Sequence, residues 1–327
     1  MAVYTQLGSE QLAALIAEFD VGDLVMAKGI AEGVSNSNWL IETSGKHGTA
    51  VRFILTMYEY RIELKDLPFF LSLLDHLAAN GCPVPRTIHD RAGGLFRTVG
   101  EKAVALIEFL PGVSLNEPTA AQARAVGRAL AQMHLAAAEF GPSRVNGMGP
   151  AEWQRLAGEC GPEGFASIDP DLAGIVQTEL QFLTKYWPSD LPQGVIHADL
   201  FPDNVLMLGD TVTGLIDFYF ACTDLIAYDV AVTHAAWCFG TDGHSFNPAI
   251  SAALLGGYEA VRPLSTGERA ALPVLARGAA LRFALSRAFD WINTPADALV
   301  VKKDPMAFVR RLQFYADPEN AAVFARA

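Results

Sequence analysis

The stretch His197-Ala198-Asp199-Leu200-Phe201-Pro202-Asp203-Asn204 is followed thirteen residues later by Asp217, after the apolar pair Leu215-Ile216. An H-x-D-x-x-x-x-N run with a later Asp is typical of enzymes that transfer a phosphoryl group. In such a reaction Asp199 is expected to orient the attacking hydroxyl and to accept its proton. Asn204 and Asp217 would give Mg²⁺ one neutral and one anionic oxygen, since this ion takes few protein ligands and keeps waters and phosphates.

Two further residues are expected to support this stretch. His197 is predicted to shape the loop rather than to take part in the chemistry. Asp229 lies among apolar neighbours on a predicted helix. Because burying an unpaired carboxylate is costly, Asp229 is expected to accept hydrogen bonds from the catalytic loop.

Composition and charge narrow the class of protein. The chain has 327 residues, 51% of them hydrophobic and 18% charged, so it is long enough for two lobes and too apolar for a disordered protein. The net charge is −12 without a Lys/Arg block, which argues against nucleic acid binding. Neither a secretion signal nor a membrane-spanning segment is predicted. We therefore expect a cytoplasmic enzyme with no nucleic acid or membrane partner.

The order of the predicted elements gives two lobes. Residues 1–106 are expected to form a nucleotide-binding lobe, and residues 107–113, which include Leu110-Pro111-Gly112, a hinge. Residues 114–327 are expected to form a mainly helical lobe for catalysis and substrate binding. The predicted fold class is α+β, with a small antiparallel sheet in the first lobe and helices in the larger second one.

Periodicity and turn residues set the predicted bounds. Strands are expected at 24–30, 37–43, 50–58 and 103–109. Helices are expected after Ser9, at 66–80, 119–140, 171–187 and 265–291, and from near Asp304-Pro305. Capping boxes at Thr119–Gln122 and Ser265–Glu268 mark the starts of two of them. In the helix at 265–291, Pro273 and Gly278 predict a break or kink.

Small residues between the first two strands are candidates for binding triphosphate through backbone N–H groups. They are Gly33, Ser35, Asn36, Ser37 and Asn38, and a plain β-turn would use the same residues. An adenine base at the hinge would bond backbone groups near Glu108 and Leu110. The chain has neither a P-loop nor a dinucleotide-binding fingerprint.

At these residues the chain resembles the aminoglycoside phosphotransferase and choline kinase superfamily, which has a protein-kinase-like two-lobe fold. Further segments resemble the bacterial homoserine kinases of threonine biosynthesis. These segments are Lys28-Gly29-Ile30-Ala31-Glu32-Gly33, Phe53-Ile54-Leu55-Thr56, Asp66-Leu67-Pro68-Phe69-Phe70, Ile216-Asp217-Phe218-Tyr219-Phe220-Ala221 and Leu299-Val300-Val301-Lys302-Lys303-Asp304-Pro305. The resemblance implies phosphorylation of the side-chain hydroxyl of L-homoserine, with ATP and Mg²⁺ as cofactors. The alternatives are another alcohol phosphotransferase of this fold, of aminoglycoside or choline type, and a non-catalytic nucleotide-binding module.

The sequence departs from the superfamily at one ion pair. Thr56 stands where the third strand usually carries a Lys, and Phe69 or Phe70 stands near the position of its Glu partner. Losing both charges together leaves neither unpaired. Lys28 and Arg52 are the candidate cations of the small lobe, and both are alternatively solvated strand residues.

A zwitterionic acceptor needs an anion for its ammonium group and a cation for its carboxylate. Candidates after the magnesium Asp and on the late helix are Tyr219, Asp224, Trp237, Arg282 and Arg287. The alternative for each is a structural ion pair or a place in the core.

Overall fold

The computed structural model describes residues 7–30, 36–45, 48–59, 63–295 and 302–325. The chain divides into two compact units, Met1–Gly112 and Val113–Ala327. The first contains α1 (Ser9–Ala17), β1 (Leu24–Gly29), β2 (Asn36–Thr43), β3 (Val51–Tyr58), α2 (Leu67–Ala79), β4 (Thr87–Ile88), β5 (Arg97–Val99) and β6 (Lys102–Glu108). The second contains α3 (Ala120–Ala137), α4 (Pro150–Ala166), α5 (Leu172–Tyr186), β7 (Gln193–Ile196), β8 (Val205–Leu208), β9 (Thr211–Leu215), β10 (Cys222–Leu225), α6 (Ile226–Trp237), α7 (Pro248–Glu259), α8 (Thr266–Asn293) and α9 (Met306–Ala316).

An antiparallel sheet is the centre of the first unit, with strand order β1-β2-β3-β6-β4 and with β5 paired to β6. Alternate residues of β3, namely Phe53, Leu55 and Met57, share a buried cluster with Leu12 and Ile16 of α1. This period of two is what a strand with one buried face requires. Each such side chain contributes about 1.5–3 kcal/mol relative to an exposed position.

The second unit is mainly helical, so the predicted α+β class is confirmed. Its strands form two small antiparallel pairs, β7 with β10 and β8 with β9. Capping boxes begin α3 at Thr119 and α8 at Ser265, as the sequence predicts. Within the described residues, no helix has the length and apolar composition to cross a membrane.

The predicted break in the last long helix is wrong. α8 continues as one helix of 28 residues through Pro273 and Gly278. It packs against α4, α5, α6 and α9, and this packing outweighs the backbone hydrogen bond that proline removes. Gly278 serves packing, because a Cβ there would lie 2.2 Å from the Trp187 ring and 2.9 Å from the Trp153 ring.

Two helices, α4 and α7, were not predicted, and glycine and proline explain why. α4 contains Gly161 in a left-handed conformation (φ 62°), followed by Pro162. α7 contains Gly257, where a Cβ would lie 2.1 Å from the Arg124 carbonyl oxygen of α3. Local sequence therefore argues against helix at these places, whereas the left-handed backbone of Gly161 and the close packing of Gly257 require glycine there.

Candidate active site

Backbone contacts join the loop after β7 to the end of β9. The N–H of Ile216 donates to the carbonyl of Asn204 at 3.0 Å. His197 reinforces this contact, because its Nε2 lies 3.0 Å from the Ile216 carbonyl oxygen. Its Nδ1 accepts from the N–H of Asp199 at 3.3 Å. The structure thus brings Asp199 and Asn204 close to Asp217, and His197 shapes the loop as expected.

Asn204 is oriented by Asp199. Its Nδ2 donates to the Asp199 carbonyl oxygen at 2.8 Å and to Asp199 Oδ2 at 3.2 Å. A carbonyl or a carboxylate can only accept hydrogen bonds, so the amide nitrogen must face Asp199 and the amide oxygen must face away. Within the described residues Asn204 Oδ1 accepts no hydrogen bond, which leaves it available to a cation.

Three carboxylates crowd this site. Burial raises the pKa of Asp199 to about 7, while the nearby charges of Arg282 and Lys303 oppose the rise and those of Asp217 and Asp203 add to it. The Asp217 residue is open to solvent, but its carboxyl is enclosed closely enough to raise its pKa to about 6, with help from Asp203. Lys303 Nζ lies 3.6 Å from Asp203 Oδ2. The pKa values of Asp199 and Asp217 stay raised despite the nearby cations, so the site favours a further cation.

The donor set fits magnesium. Asn204 Oδ1 and the Asp217 carboxylate are the hard oxygen ligands that this ion prefers. No group of three or more His, Cys, Asp or Glu side chains in the described ranges is arranged to hold a metal ion. The other ligands of a magnesium ion here would therefore be waters and phosphate oxygens.

A buried carboxylate fixes the backbone of the catalytic loop, which confirms the expectation for Asp229. Asp229 accepts from the N–H groups of His197 at 2.7 Å and Ala198 at 2.8 Å. Burial alone would raise the pKa of Asp229, but hydrogen bonds from His134 and the backbone hold it below its ordinary value.

Ala198 has a left-handed backbone (φ 64°), which costs a non-glycine residue about 1–2 kcal/mol. The Arg282 guanidinium donates to the Ala198 carbonyl oxygen and helps to hold this conformation.

Behind Asp229, buried polar side chains lead to the start of α8. His134 Nε2 lies 3.0 Å from Asp229 Oδ2, and its Nδ1 lies 2.8 Å from the Tyr258 hydroxyl. Arg262 donates to the Tyr258 hydroxyl at 3.2 Å and pairs with Glu268 at 2.7 Å. His134 and Tyr258 were not predicted to support the site. In the sequence each is only a polar residue within an apolar helical run, and such a residue by itself indicates no function.

The predicted phosphate-binding residues of the first unit differ in their surroundings. Gly33 and Ser35 lie outside the described residues. Asn36 is 6% exposed, and its Oδ1 has no hydrogen-bond partner in the described chain. Ser37 donates to Glu59 at 2.6 Å, so its hydroxyl is used within the sheet.

A neutral pair takes the place of the superfamily's ion pair. Thr56, 2% exposed, donates from its hydroxyl to Asn38 Oδ1 at 2.8 Å across β2 and β3. This bond fixes the amide of Asn38 and leaves its Nδ2 as a donor. Phe69 and Phe70 are buried. No charge is left unpaired by the exchange.

The structure also shows the surroundings of the two candidate cations of the small lobe and of Glu108 at the predicted hinge. Lys28 is exposed on the edge strand β1, and Arg52 pairs with Glu42 at 3.0 Å while remaining 56% exposed. The N–H of Glu108 donates to the carbonyl of Arg86 at 2.9 Å, so it is not available to a ligand.

Glu108 nevertheless lines a cavity of ≈ 680 Å³ with Phe53, Ile88 and Phe109. In the described part of the chain the N–H of Leu110 donates no hydrogen bond. Of the backbone groups predicted near Glu108 and Leu110, the Leu110 N–H is thus available to a ligand within the described residues.

Two of the predicted acceptor residues contact the catalytic loop instead. Trp237 is 3% exposed, and its Nε1 donates to the Leu200 carbonyl oxygen at 2.9 Å. Arg282 is 1% exposed and bonds Ala198. Both side chains therefore position the loop, which is the core alternative given above.

The other three are half-buried and more open. Tyr219 follows Asp217 in a short 3₁₀ turn. Asp224 Oδ2 accepts from Asn146 Nδ2 at 2.6 Å. Arg287 donates to the Asp304 carbonyl oxygen at 3.2 Å. The structure places each of them in the second unit without showing a contact to an acceptor.

Comparison with known proteins gives consistent results along the whole chain. The profile of a family described as "Phosphotransferase enzyme family" matches residues 27–264. A homoserine kinase of Brucella anthropi is 50% identical over 325 residues, which cover 99% of this chain and 97% of that protein. A homoserine kinase of Azorhizobium caulinodans is 50% identical over 315 residues, 96% of each chain.

The fold also resembles solved structures of distant sequence. An amicoumacin kinase in complex with AMP-PNP, Ca²⁺ and Ami has a TM-score of 0.71 at 14% identity, covering 95% of this chain and 94% of that one. At this identity the likeness concerns the fold alone. It confirms the kinase-like fold with an antiparallel sheet and a helical unit.

Proposed function

This chain belongs to the phosphotransferase enzyme family, and we propose that it transfers the γ-phosphate of ATP to the side-chain hydroxyl of L-homoserine. The product would be O-phospho-L-homoserine, an intermediate of threonine biosynthesis. The chain is a small-molecule kinase, and the carrying observation is 50% identity to a homoserine kinase over 99% of its length. The first unit would be the nucleotide-binding lobe and the second the catalytic lobe, in a cytoplasmic enzyme.

Asp199 is proposed as the base. Its Oδ2 receives the Asn204 amide, so Oδ1 is the oxygen left to meet the acceptor hydroxyl. A pKa of about 7 suits this role, because a base works best when its pKa is near the working pH. Asp229, Arg282 and Trp237 hold the loop that carries it.

Asn204 Oδ1 and the Asp217 carboxylate are the proposed magnesium ligands. When bound, the ion would neutralise charge that develops on the transferred phosphoryl group. Lys303, beside Asp203 in the same site, is the cation that we propose to contact this group in place of the missing strand Lys. Its charge acts on both Asp199 and Asp217, whereas Arg52 pairs with Glu42 on the neighbouring strand of the first unit.

The proposed nucleotide contacts lie in the first unit. Asn38, whose Nδ2 remains a donor once its Oδ1 accepts from Thr56, would bind phosphate together with Gly33, Ser35, Asn36 and Ser37. The N–H of Leu110 would bond the adenine base, and Glu108 would line its pocket. Tyr219 and Asp224 are proposed to contact the acceptor, with Asp224 as the anion for its ammonium group.

The test is ADP release from ATP and Mg²⁺, compared across L-homoserine, choline and an aminoglycoside. We expect kcat/KM for L-homoserine to exceed that for the other two by at least two orders of magnitude. Turnover of choline or the aminoglycoside alone would contradict the proposed acceptor and leave the phosphotransferase chemistry standing. If none of the three raises ADP release above the hydrolysis of ATP alone, the proposed acceptor is contradicted.

A further inference from the structure

Arg287 differs in its partners from four other arginines of the second unit. Arg277 and Arg262 form close ion pairs with carboxylates, at 2.6 Å and 2.7 Å. Arg282 and Arg311 are almost fully buried and donate to backbone carbonyl groups. Arg287 is half-buried and donates only to a backbone carbonyl, and in the described residues it has no ion pair. Its guanidinium thus keeps donors without an anionic partner.

The position of Arg287 links it to the catalytic loop. It lies one turn after Phe283 on α8, so both side chains occupy the same face of the helix. The Phe283 ring packs at 4.8 Å against Phe201, which is two residues from Asp199. The Arg287 guanidinium lies 4.4 Å from the ring of Phe308, which in turn packs at 5.0 Å against Phe283.

The charge of Arg287 is directed at the same site. Burial lowers the pKa of Arg287 to about 10, while the negative charges of Asp304, Asp203 and Asp199 work against the fall. The side chain is therefore cationic at neutral pH. The Phe308 ring restricts where the guanidinium can lie, and the planar fork of an arginine suits bidentate binding of a carboxylate.

We propose that Arg287 binds the α-carboxylate of the acceptor and so makes the enzyme select an amino acid over the corresponding amino alcohol. This inference rests on the proposed function, since it concerns the same acceptor. It separates Arg287 from Arg282 on the same helix, because Arg282 donates to the Ala198 carbonyl oxygen and Arg287 does not. The acceptor must therefore carry a carboxylate a few covalent bonds away from the hydroxyl group that contacts Asp199.

The experiment compares L-homoserine with 3-aminopropan-1-ol, which is L-homoserine without its carboxylate. The variants are Arg287→Met, which keeps the contact with Phe308 but has no charge, and Arg287→Lys, which keeps the charge but not the planar fork. Arg287→Met should lower kcat/KM for L-homoserine by about 10- to 100-fold, the worth of a charge-assisted hydrogen bond. The value for 3-aminopropan-1-ol and the KM for ATP should change by less than about threefold, because neither contact involves the lost charge.

Arg310→Met is the matched control. Arg310, on α9, also contacts Asp304, but it donates to the Asp242 carbonyl oxygen as well. It should leave both acceptors unchanged. Equal losses with the two acceptors, or no loss with L-homoserine, would overturn the inference. If Arg287→Met does not fold, Arg287→Lys decides, because it should show a smaller but equally selective loss. Failure of the wild-type enzyme to use L-homoserine would instead count against the proposed function.

Discussion

Asn204 donates two hydrogen bonds to Asp199, the proposed base. Asp199→Asn replaces one carboxylate oxygen with an amide nitrogen. The variant can still orient a hydroxyl but cannot accept its proton. We expect kcat to fall by about 10²- to 10⁴-fold while nucleotide binding is retained, because general base catalysis contributes that much. Single-turnover kinetics and ADP titration measure the two effects. Asp203→Asn, at an exposed neighbour, should cost far less, and similar losses in both variants would argue against Asp199 as the base.

The hydrogen bond between Thr56 and Asn38 gives a second prediction. Thr56→Val keeps the shape of the side chain but removes the donor to Asn38 Oδ1. Loss of one such bond costs about 1 kcal/mol, so KM for ATP should rise about fivefold while KM for the acceptor stays the same. Steady-state kinetics with each substrate varied will show this. Thr98→Val, on the exposed side of β5, is the control, and a change in KM for the acceptor alone would contradict the proposal.

The catalytic residues could be predicted because chemistry fixes their spacing along one short loop. Asp199, Asn204 and Asp217 lie close together in the structure, although their roles remain predictions. Arg282 and Trp237 could not be assigned from sequence, since an arginine or tryptophan looks the same whether it faces a ligand or a backbone carbonyl. That distinction depends on which carbonyl groups the fold leaves nearby.

At the scale of helices, Gly278 of α8 fits against two tryptophan rings. Gly278→Ala improves helix propensity but places a Cβ 2.2 Å from Trp187 and 2.9 Å from Trp153. We expect it to lower the free energy of unfolding by about 1–3 kcal/mol, the usual cost of overpacking. Gly174→Ala on α5 is the matched control, since nothing lies within 4 Å of its added Cβ. Urea denaturation should show the control unchanged or up to about 1 kcal/mol more stable. A stabilised Gly278→Ala would contradict the packing argument.

The predicted elements fail where packing overrides local preference. The strands and helices with clear periodicity and capping boxes, such as α3 and α8, are confirmed. The continuity of α8 through Pro273 and the existence of α7 were not predictable, because both depend on neighbours distant in sequence. Gly257 of α7 is explained only by the Arg124 carbonyl that meets it.

For the whole molecule, the raised pKa values of Asp199 and Asp217 predict how stability depends on pH. Their values are about 7 and about 6 in the folded state, against an ordinary 3.8. At pH values between the unfolded and the folded pKa, each carboxyl group is protonated in the folded protein and ionised in the unfolded chain. Their contribution to stability is therefore full below about pH 4 and is lost as the pH rises to about 7. Buried His234, with its pKa lowered by burial to about 3, acts in the opposite direction.

The difference between wild type and Asp199→Asn isolates the carboxyl group. In EDTA, Asp199→Asn should gain stability relative to wild type as the pH rises from 5 to 8, because it cannot acquire the buried charge. Urea denaturation at both pH values measures this difference, and adding Mg²⁺ at pH 8 should reduce it. A difference that does not change with pH would contradict the raised pKa of Asp199.

Asp229 grips the catalytic loop through the N–H groups of residues 197 and 198, and every amino acid except proline supplies such a group. The conformation of the loop at position 198 is therefore held by main-chain hydrogen bonds and not by the side chain. Ala198 is 1% exposed, so glycine is the replacement that suits both its left-handed backbone and the space around it. A designer seeking new acceptors should therefore keep this position small, so that the geometry of phosphoryl transfer is kept.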